Sequence, residues 1–393
     1  MTNKEGSQLF NRTYLKLMPV LVGAIILWLS LSNRGEKAPD VETLTPNQTY
    51  LYIDKTATRS QLHLTYAVAP GLSYQQSEYR HAIITALGQA LTDYPALSAD
   101  WFDDRVTLHI PTTLLKTRPL SQLIDHLTND VFNQYPEALK RAAAEQYLAQ
   151  NQRENQALQN LTQQIAGYRA SLSAQQIFSQ PPLALLTLSR SDKKLIRRIT
   201  EQVASLPNRA FNHDEQSASS LSVPTSIQLT HRGSGYLYML GHALSVSDTD
   251  KIDLIASHVL SQQLSALTAN TETHFRLVQK PLFPVGYWAL LLNKDTPFSP
   301  GFEERLRESI EQSFTDEQLA STRTFLFQQY RDQLLAADSR TTLINQSLFY
   351  RQPIVSANEF RDTLDAITLT QIIARLNEWL DPNRSLTLLI EPQ

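Results

Sequence analysis

Apolar and polar positions divide this chain into three kinds of segment: one unbroken apolar run, short alternating stretches, and longer stretches with helical spacing. The run, LMPVLVGAIILWLSLS over residues 17–32, carries no charge. At about 1.5 Å per residue it reaches roughly 24 Å as a helix, slightly short of a bilayer core. Alternation in QLHLTYAVA, residues 61–69, predicts a strand ending at Pro70-Gly71, and alternation over 104–110 predicts another, closed by Pro111. A helix is expected between them over about 77–92, then helices over 119–132 and from Pro136 to about residue 170. A buried-type strand over 183–188 and an amphipathic helix over 192–206, capped by Ser191 or Asp192, complete the first half.

The second half repeats the order. Strands are expected over 226–230 and 235–246, a helix over 248–267, a strand over 285–292 and a helix over 300–314. Thr315-Asp-Glu-Gln318 fits a capping box opening a helix to residue 335. Helices over 340–350, 357–367 and 369–380 follow, and Asp381-Pro-Asn-Arg384 turns into a closing strand over 385–390. Strands interrupted by paired helices, rather than strict βαβ alternation, predict an α+β fold: two similar domains, each a mostly antiparallel sheet with helices packed on it.

Composition changes this picture little. At 393 residues the chain exceeds the size of one hydrophobic core, so two domains are expected. Scattered Lys and Arg with a net charge of −3 argue against nucleic acid as a partner. Cys is absent, which excludes disulfides, thiolate metal sites and Cys nucleophiles. The N-terminus adds more. Lys4, Arg12 and Lys16 precede the apolar run with only Glu5 opposing, which orients residues 1–16 toward the cytoplasm and the rest outward. The run then reads as a transmembrane signal anchor over 17–32 in a bacterial inner membrane, with a periplasmic globule. The alternative is a cleaved signal peptide ending at Ser30-x-Ser32. Residues 33–48, polar and Pro-containing, read as a tether, and 208–224, rich in Ser, as a linker. Two domains, 49–207 and 225–393, lie on either side of that linker.

The tail carries a family resemblance. FTDEQLA at 314–320, TLDAITLT at 363–370 and EWLDPNRSLTLLI at 378–390 look like the C-terminal half of insulinase or pitrilysin-type metallopeptidases, in their processing-peptidase-like branch. TLSRSDKKL at 187–195 followed by Leu206-Pro207 is similar to the end of that family's N-terminal half. The resemblance implies a zinc helix H-x-x-E-H in the first domain, with two His as ligands and the Glu polarising the attacking water. In EYRHAIIT, residues 78–85, His81 takes the first position, but Ile84 stands in place of the base and Thr85 in place of the second ligand. A missing general base costs about 10²- to 10⁴-fold in rate. The family's third ligand, a Glu on a later helix, would fall near Glu154; both His81 and Glu154 also read as plain polar helix-face residues. The resemblance further implies an Arg and a Tyr that hold substrate, for which Arg276 and Tyr287 are the candidates, though Tyr287 also reads as a strand residue.

Other chemistry is set aside. No two of the nine His fall at a zinc-motif spacing, Ser191-x-x-Lys194 lacks the S-D-N and K-T-G that would follow it, and Gly233-Ser-Gly235 completes no phosphate loop. The expectation is a degenerate, non-catalytic insulinase-like protein with no metal or other cofactor. It would pair with an active zinc peptidase subunit of the same family and help to bind peptide in the cell envelope. The alternative is a free-standing envelope scaffold using the former peptide-binding face.

Overall fold

The alternating stretches build two sheets of one plan. The protein is described by a computed structural model covering residues 37–45, 49–68, 74–149, 152–166, 178, 180–206, 225–244, 251–269, 271–282, 286–299 and 301–393. Strands β1 (Val41–Thr45), β2 (Thr49–Ile53), β3 (Gln61–Ala67), β4 (Ser98–Trp101), β5 (Arg105–Pro111) and β6 (Leu183–Leu188) form one sheet in the order β1-β2-β6-β3-β5-β4. Strands β7 (Thr225–His231), β8 (Tyr236–Leu244), β9 (His274–Lys280), β10 (Gly286–Lys294) and β11 (Leu386–Pro392) form the second, in the order β7-β11-β8-β10-β9. In each half the last strand inserts beside the first and runs parallel to it, β6 with β2 and β11 with β7; the other pairs are antiparallel. Apart from the extra edge strand β1, the two sheets have the same topology, so the repeat in element order is a repeat of fold.

One face of each sheet carries a helical layer. Helix α1 (Tyr74–Leu91) and α2 (Leu120–Ala149) bury Ala82, Ile83, Leu87, Leu123 and Leu127 against Leu62 and Leu64 of β3 and Val106, Leu108 and Ile110 of β5. On the second sheet α5 (Lys251–Thr268), α7 (Asp316–Leu335), α9 (Ala357–Ala366) and α10 (Leu369–Trp379) cover Leu240, Trp288 and Leu290. Trp288 and Trp379 lie at the centre of that core, ring centroids 4.9 Å apart. Helices α4 (Lys193–Ala204) and α6 (Phe302–Ser313) complete the halves together with the two helices described next.

The opposite faces are covered by exchange. Helix α3 (Arg153–Ala166), from the first half, lays Ala157, Leu161 and Ile165 across Leu237, Met239, Ala289, Leu291, Leu388 and Ile390 of the second sheet. Gly241 of β8 makes room for it: a Cβ there would stand 2.5 Å from Leu161 Cδ2. Reciprocally α8 (Ala337–Phe349), from the second half, sets Ile344 on Tyr52 and Leu185 of the first sheet. Polar ties reinforce the exchange. Arg340 Nη2 meets Asp54 Oδ2 at 2.6 Å, and Tyr350 Oη accepts from Arg105 Nη1 at 2.8 Å while donating to Asp104 Oδ2 at 2.7 Å. Burial works against ionisation of Asp54, but hydrogen bonds from Thr56 and Arg340 outweigh it and hold the carboxyl below its ordinary range.

The two exchanged interfaces differ in chemistry. Under α3 the sheet face is apolar throughout the cluster just described. Under α8 it is apolar only beside β2 and Leu185 of β6; beyond them it presents Thr187, then Gln61, His63 and Thr65, then Thr107 and His109, then Ser98 and Asp100.

Three sequence expectations change. Residues 41–45, read within a tether, are the edge strand β1, and β2, β4 and β9 were not foreseen; β1 and β4 are short and have no buried residue, β9 is largely polar, and β2, though buried, is only five residues long. The break expected at Pro136 is absent: α2 runs through it, because the proline is exposed and the carbonyl of Phe132 that it orphans lies on the wet side, within reach of water. The break falls instead between α2 and α3, where one long helix was expected. As expected, each sheet is mostly antiparallel, with one parallel pair. The caps at Asp192 and Thr315 are as expected, with Asp192 Oδ1 accepting from the amides of Lys194 and Leu195 at 3.1 Å. Among the described residues no helix is long and apolar enough to cross a membrane; the run at 17–32 and the linker at 208–224 lie outside them.

Candidate functional site

Helix α1 sets which of residues 81–85 reach the surface. Its Ala82, Ile83, Ala86, Leu87 and Ala90 are buried in the core, which turns the neighbouring stripe His81, Ile84, Thr85 and Gly88 toward the surface. Helix α2 packs along α1 with the small, fully buried Ala138 and Ala142 at the contact. One turn further along that ridge is Glu145. Its Oε2 lies 2.5 Å from His81 Nε2, with the two side chains 62% and 40% exposed. A pair so open to water is worth at most about 1 kcal/mol to the fold.

The stripe therefore holds one imidazole and one carboxylate together, beside an isoleucine and a threonine. Ile84 has no proton chemistry, and the Thr85 hydroxyl is a poor zinc donor beside the imidazole, thiolate and carboxylate groups that ordinarily bind that ion. Among the described residues no group of three His, Asp or Glu side chains is arranged to hold a metal ion.

Glu154, the sequence-based candidate for the later helix position, is elsewhere. It heads α3 on the second sheet, where Oε2 accepts from Arg276 Nη1 and Oε1 from Asn293 Nδ2, each at 2.8 Å. Glu145 stands beside His81 in its place. Sequence proximity to the expected position favoured Glu154; the signal missed was the Ala138, Ala142, Glu145 ridge, whose spacing matches a helix lying on α1.

Arg276 and Tyr287 share a face of the second sheet without forming one unit. Tyr287 pairs with Lys280 and Arg276 with Leu291, four ladder positions apart. Burial pushes the Tyr287 phenol up to about 12, Asp103 adds to the rise, and Arg276 opposes it. Asp103, in the β4–β5 turn, takes Arg80 of α1 at 3.3 Å on one oxygen and the Lys280 ammonium on the other. The residue just before His81 is thus tied through Asp103 to the sheet carrying Tyr287. Helix α1 and the edge of the second sheet meet at Asp103.

This fold is found in solved structures of peptidase-type proteins. The chain is similar to a peptidase M16 inactive domain from Pseudomonas fluorescens, with a TM-score of 0.66 and 14% identity over 90% of this chain and 98% of that one. It is similar as well to a protease from Helicobacter pylori, with a TM-score of 0.67 and 12% identity over 90% and 100% of the two chains. A third likeness, to the periplasmic protease PqqL of Escherichia coli, has a TM-score of 0.61 and 14% identity over 92% of this chain, which spans only 47% of PqqL. No family model and no curated protein matches the sequence. At such identities the likeness is one of fold: the protein has the two-sheet insulinase, or M16, architecture.

Proposed function

We propose that this protein is a non-catalytic, insulinase-like pseudo-peptidase of the bacterial envelope. It is held to the inner membrane by residues 17–32 and pairs with an active zinc peptidase subunit of the same architecture to enclose peptides. The observation that carries the reading is the α1–α2 stripe. His81 and Glu145 stand at 2.5 Å where a metal site would be built, while Ile84 and Thr85 supply neither base nor further ligand. The architecture of an M16 inactive domain, matched over nearly its whole length, and of a periplasmic protease supports both the lost chemistry and the compartment. A two-domain half-shell without chemistry of its own serves by closing over another molecule. The Arg80–Asp103–Lys280 link would line that inner surface.

Tagged full-length protein purified from native membranes tests the reading. Co-purification of a peptidase with an intact H-x-x-E-H, and loss of that peptidase's activity when this chain is deleted, are expected. Recovery of the chain alone, with the neighbouring activity unchanged, would replace the subunit reading with that of a free-standing scaffold. A mature N-terminus near Asn33 would show that the apolar run is a cleaved signal instead of an anchor.

A further inference from the structure

The polar interface under α8 contains a cavity of about 480 Å³, within the range of small-molecule sites. Its floor is buried: His63, Thr107 and Thr187 from the first sheet and Asn345 from α8. Its rim, Arg59, Asp100 and Asp338, is exposed. The cavity is therefore a pocket with a polar bottom and a wet mouth.

The fold does not need these polar groups. The equivalent interface in the other half has an apolar cluster at its centre and polar ties only at its end, and burying polar side chains costs free energy wherever partners are missing. One end of the pocket floor is satisfied. Asn345 Nδ2 donates to Thr65 Oγ1 at 2.8 Å and to Thr107 Oγ1 at 3.2 Å, and the two threonine hydroxyls meet at 3.0 Å. The other end is not. His63 Nε2 and Thr187 Oγ1 are buried without a protein partner.

The state of His63 Nε2 follows from its neighbours. Asp100 Oδ2 lies 3.0 Å from His109 Nε2, at ion-pair distance though outside hydrogen-bond geometry, and so favours a proton on that nitrogen. His109 Nδ1 is then the acceptor for His63 Nδ1–H at 2.8 Å. This assignment leaves His63 Nε2 a bare lone pair. Thr187 Oγ1 beside it can both donate and accept. Thr187 pairs with Gln61, so His63 is its diagonal neighbour on the same face, roughly 7–8 Å away between Cα positions. A six-membered polyol ring spans such a gap.

We propose that this pocket binds a neutral polyhydroxylated small molecule, a mono- or disaccharide by size, through His63 Nε2 and Thr187 Oγ1. Two rim carboxylates against one guanidinium disfavour an anion, and a lining of hydroxyl, amide and imidazole groups disfavours an apolar ligand. One ligand hydroxyl donates to the imidazole lone pair and a second accepts from Thr187, each after a small rotation that opens the buried atom to the cavity, which satisfies both orphaned groups; an analogue lacking them leaves the groups unpaired.

Calorimetric titration of the full-length protein, in a detergent without a sugar headgroup, tests this with glucose, N-acetylglucosamine, maltose and inorganic phosphate. At least one saccharide is expected to bind with a Kd of about 1 mM or tighter. His63→Leu and the near-isosteric Thr187→Val should each weaken it by about tenfold, each variant first checked for folding by circular dichroism. Should His63→Leu fail to fold, Thr187→Val carries the test. The proposal is overturned if no saccharide binds, if phosphate binds in preference, or if binding survives unchanged in the folded variants.

Discussion

Substituting Gly241 by alanine tests the helix exchange directly, because the one methyl it adds points at a residue 80 positions earlier in the chain. The new Cβ would lie 2.5 Å from Leu161 Cδ2 and 3.0 Å from the carbonyl oxygen of Trp288. The backbone oxygen has little freedom, so α3 or the Leu161 side chain must yield, at an overpacking cost of about 1–3 kcal/mol. Leu161→Ala removes a fully buried side chain from the same interface and should cost about 2–5 kcal/mol through lost burial and the cavity left behind. Together the two changes relieve one another, since the cavity receives the methyl. The double variant should therefore be less destabilised than the sum of the singles by about 0.5–3 kcal/mol. Urea unfolding followed by far-UV circular dichroism, with the free-energy changes taken from midpoint shifts at constant slope, gives all three values. Additivity within about 0.5 kcal/mol would refute the packing of α3 across β8, and with it the reciprocal exchange.

Other consequences can be checked in the same way. Ile84→Glu combined with Thr85→His, on a face that already has His81 and Glu145, should confer zinc uptake measurable as bound metal per chain. A further Glu145→Ala should abolish most of that uptake, and failure to take up zinc would mean that this stripe is not a vacated metal site. Burial lowers His63 to about 3 and His242 to about 4 from an ordinary value of 6.5, with His109 and Arg375 respectively adding to the effect. The unfolded chain takes up these protons first, so stability should be flat above about pH 6.5 and fall below it, by up to about 1.4 kcal/mol per pH unit for each histidine. Urea midpoints between pH 7 and 4.5 should show this slope, reduced in His242→Leu. Arg340→Ala strands the buried carboxylate of Asp54 and should cost about 3 kcal/mol, whereas Asp54→Asn, which removes the charge, should cost less in the same assay.

Much of this protein was legible in one dimension because its cause is local. Alternation marks β3 and β5, whose odd and even residues face different surroundings; a short apolar run marks β6; capping residues mark α4 and α7; the recurring order of elements announces two copies of one fold. That residue 84 supplies no general base is likewise a matter of residue identity, since Ile84 cannot carry a proton in any fold. What lies at the sheet edges or across the chain was not legible. Strands β1, β4 and β9 have too little buried face to leave a period, β2 is too short to leave one, and Pro136 is tolerated on the exposed side of α2. Glu145 rather than Glu154 meets His81 because of how α2 lies on α1, and Glu154 is taken by Arg276 on the other half. The exchange of α3 and α8 joins residues as far apart as Thr65 and Asn345, and it alone assembles the pocket that holds His63. Local pattern records which side of an element is apolar; it does not record which element covers that side, because either of two equivalent helices satisfies the same pattern until shape and polar pairing choose between them.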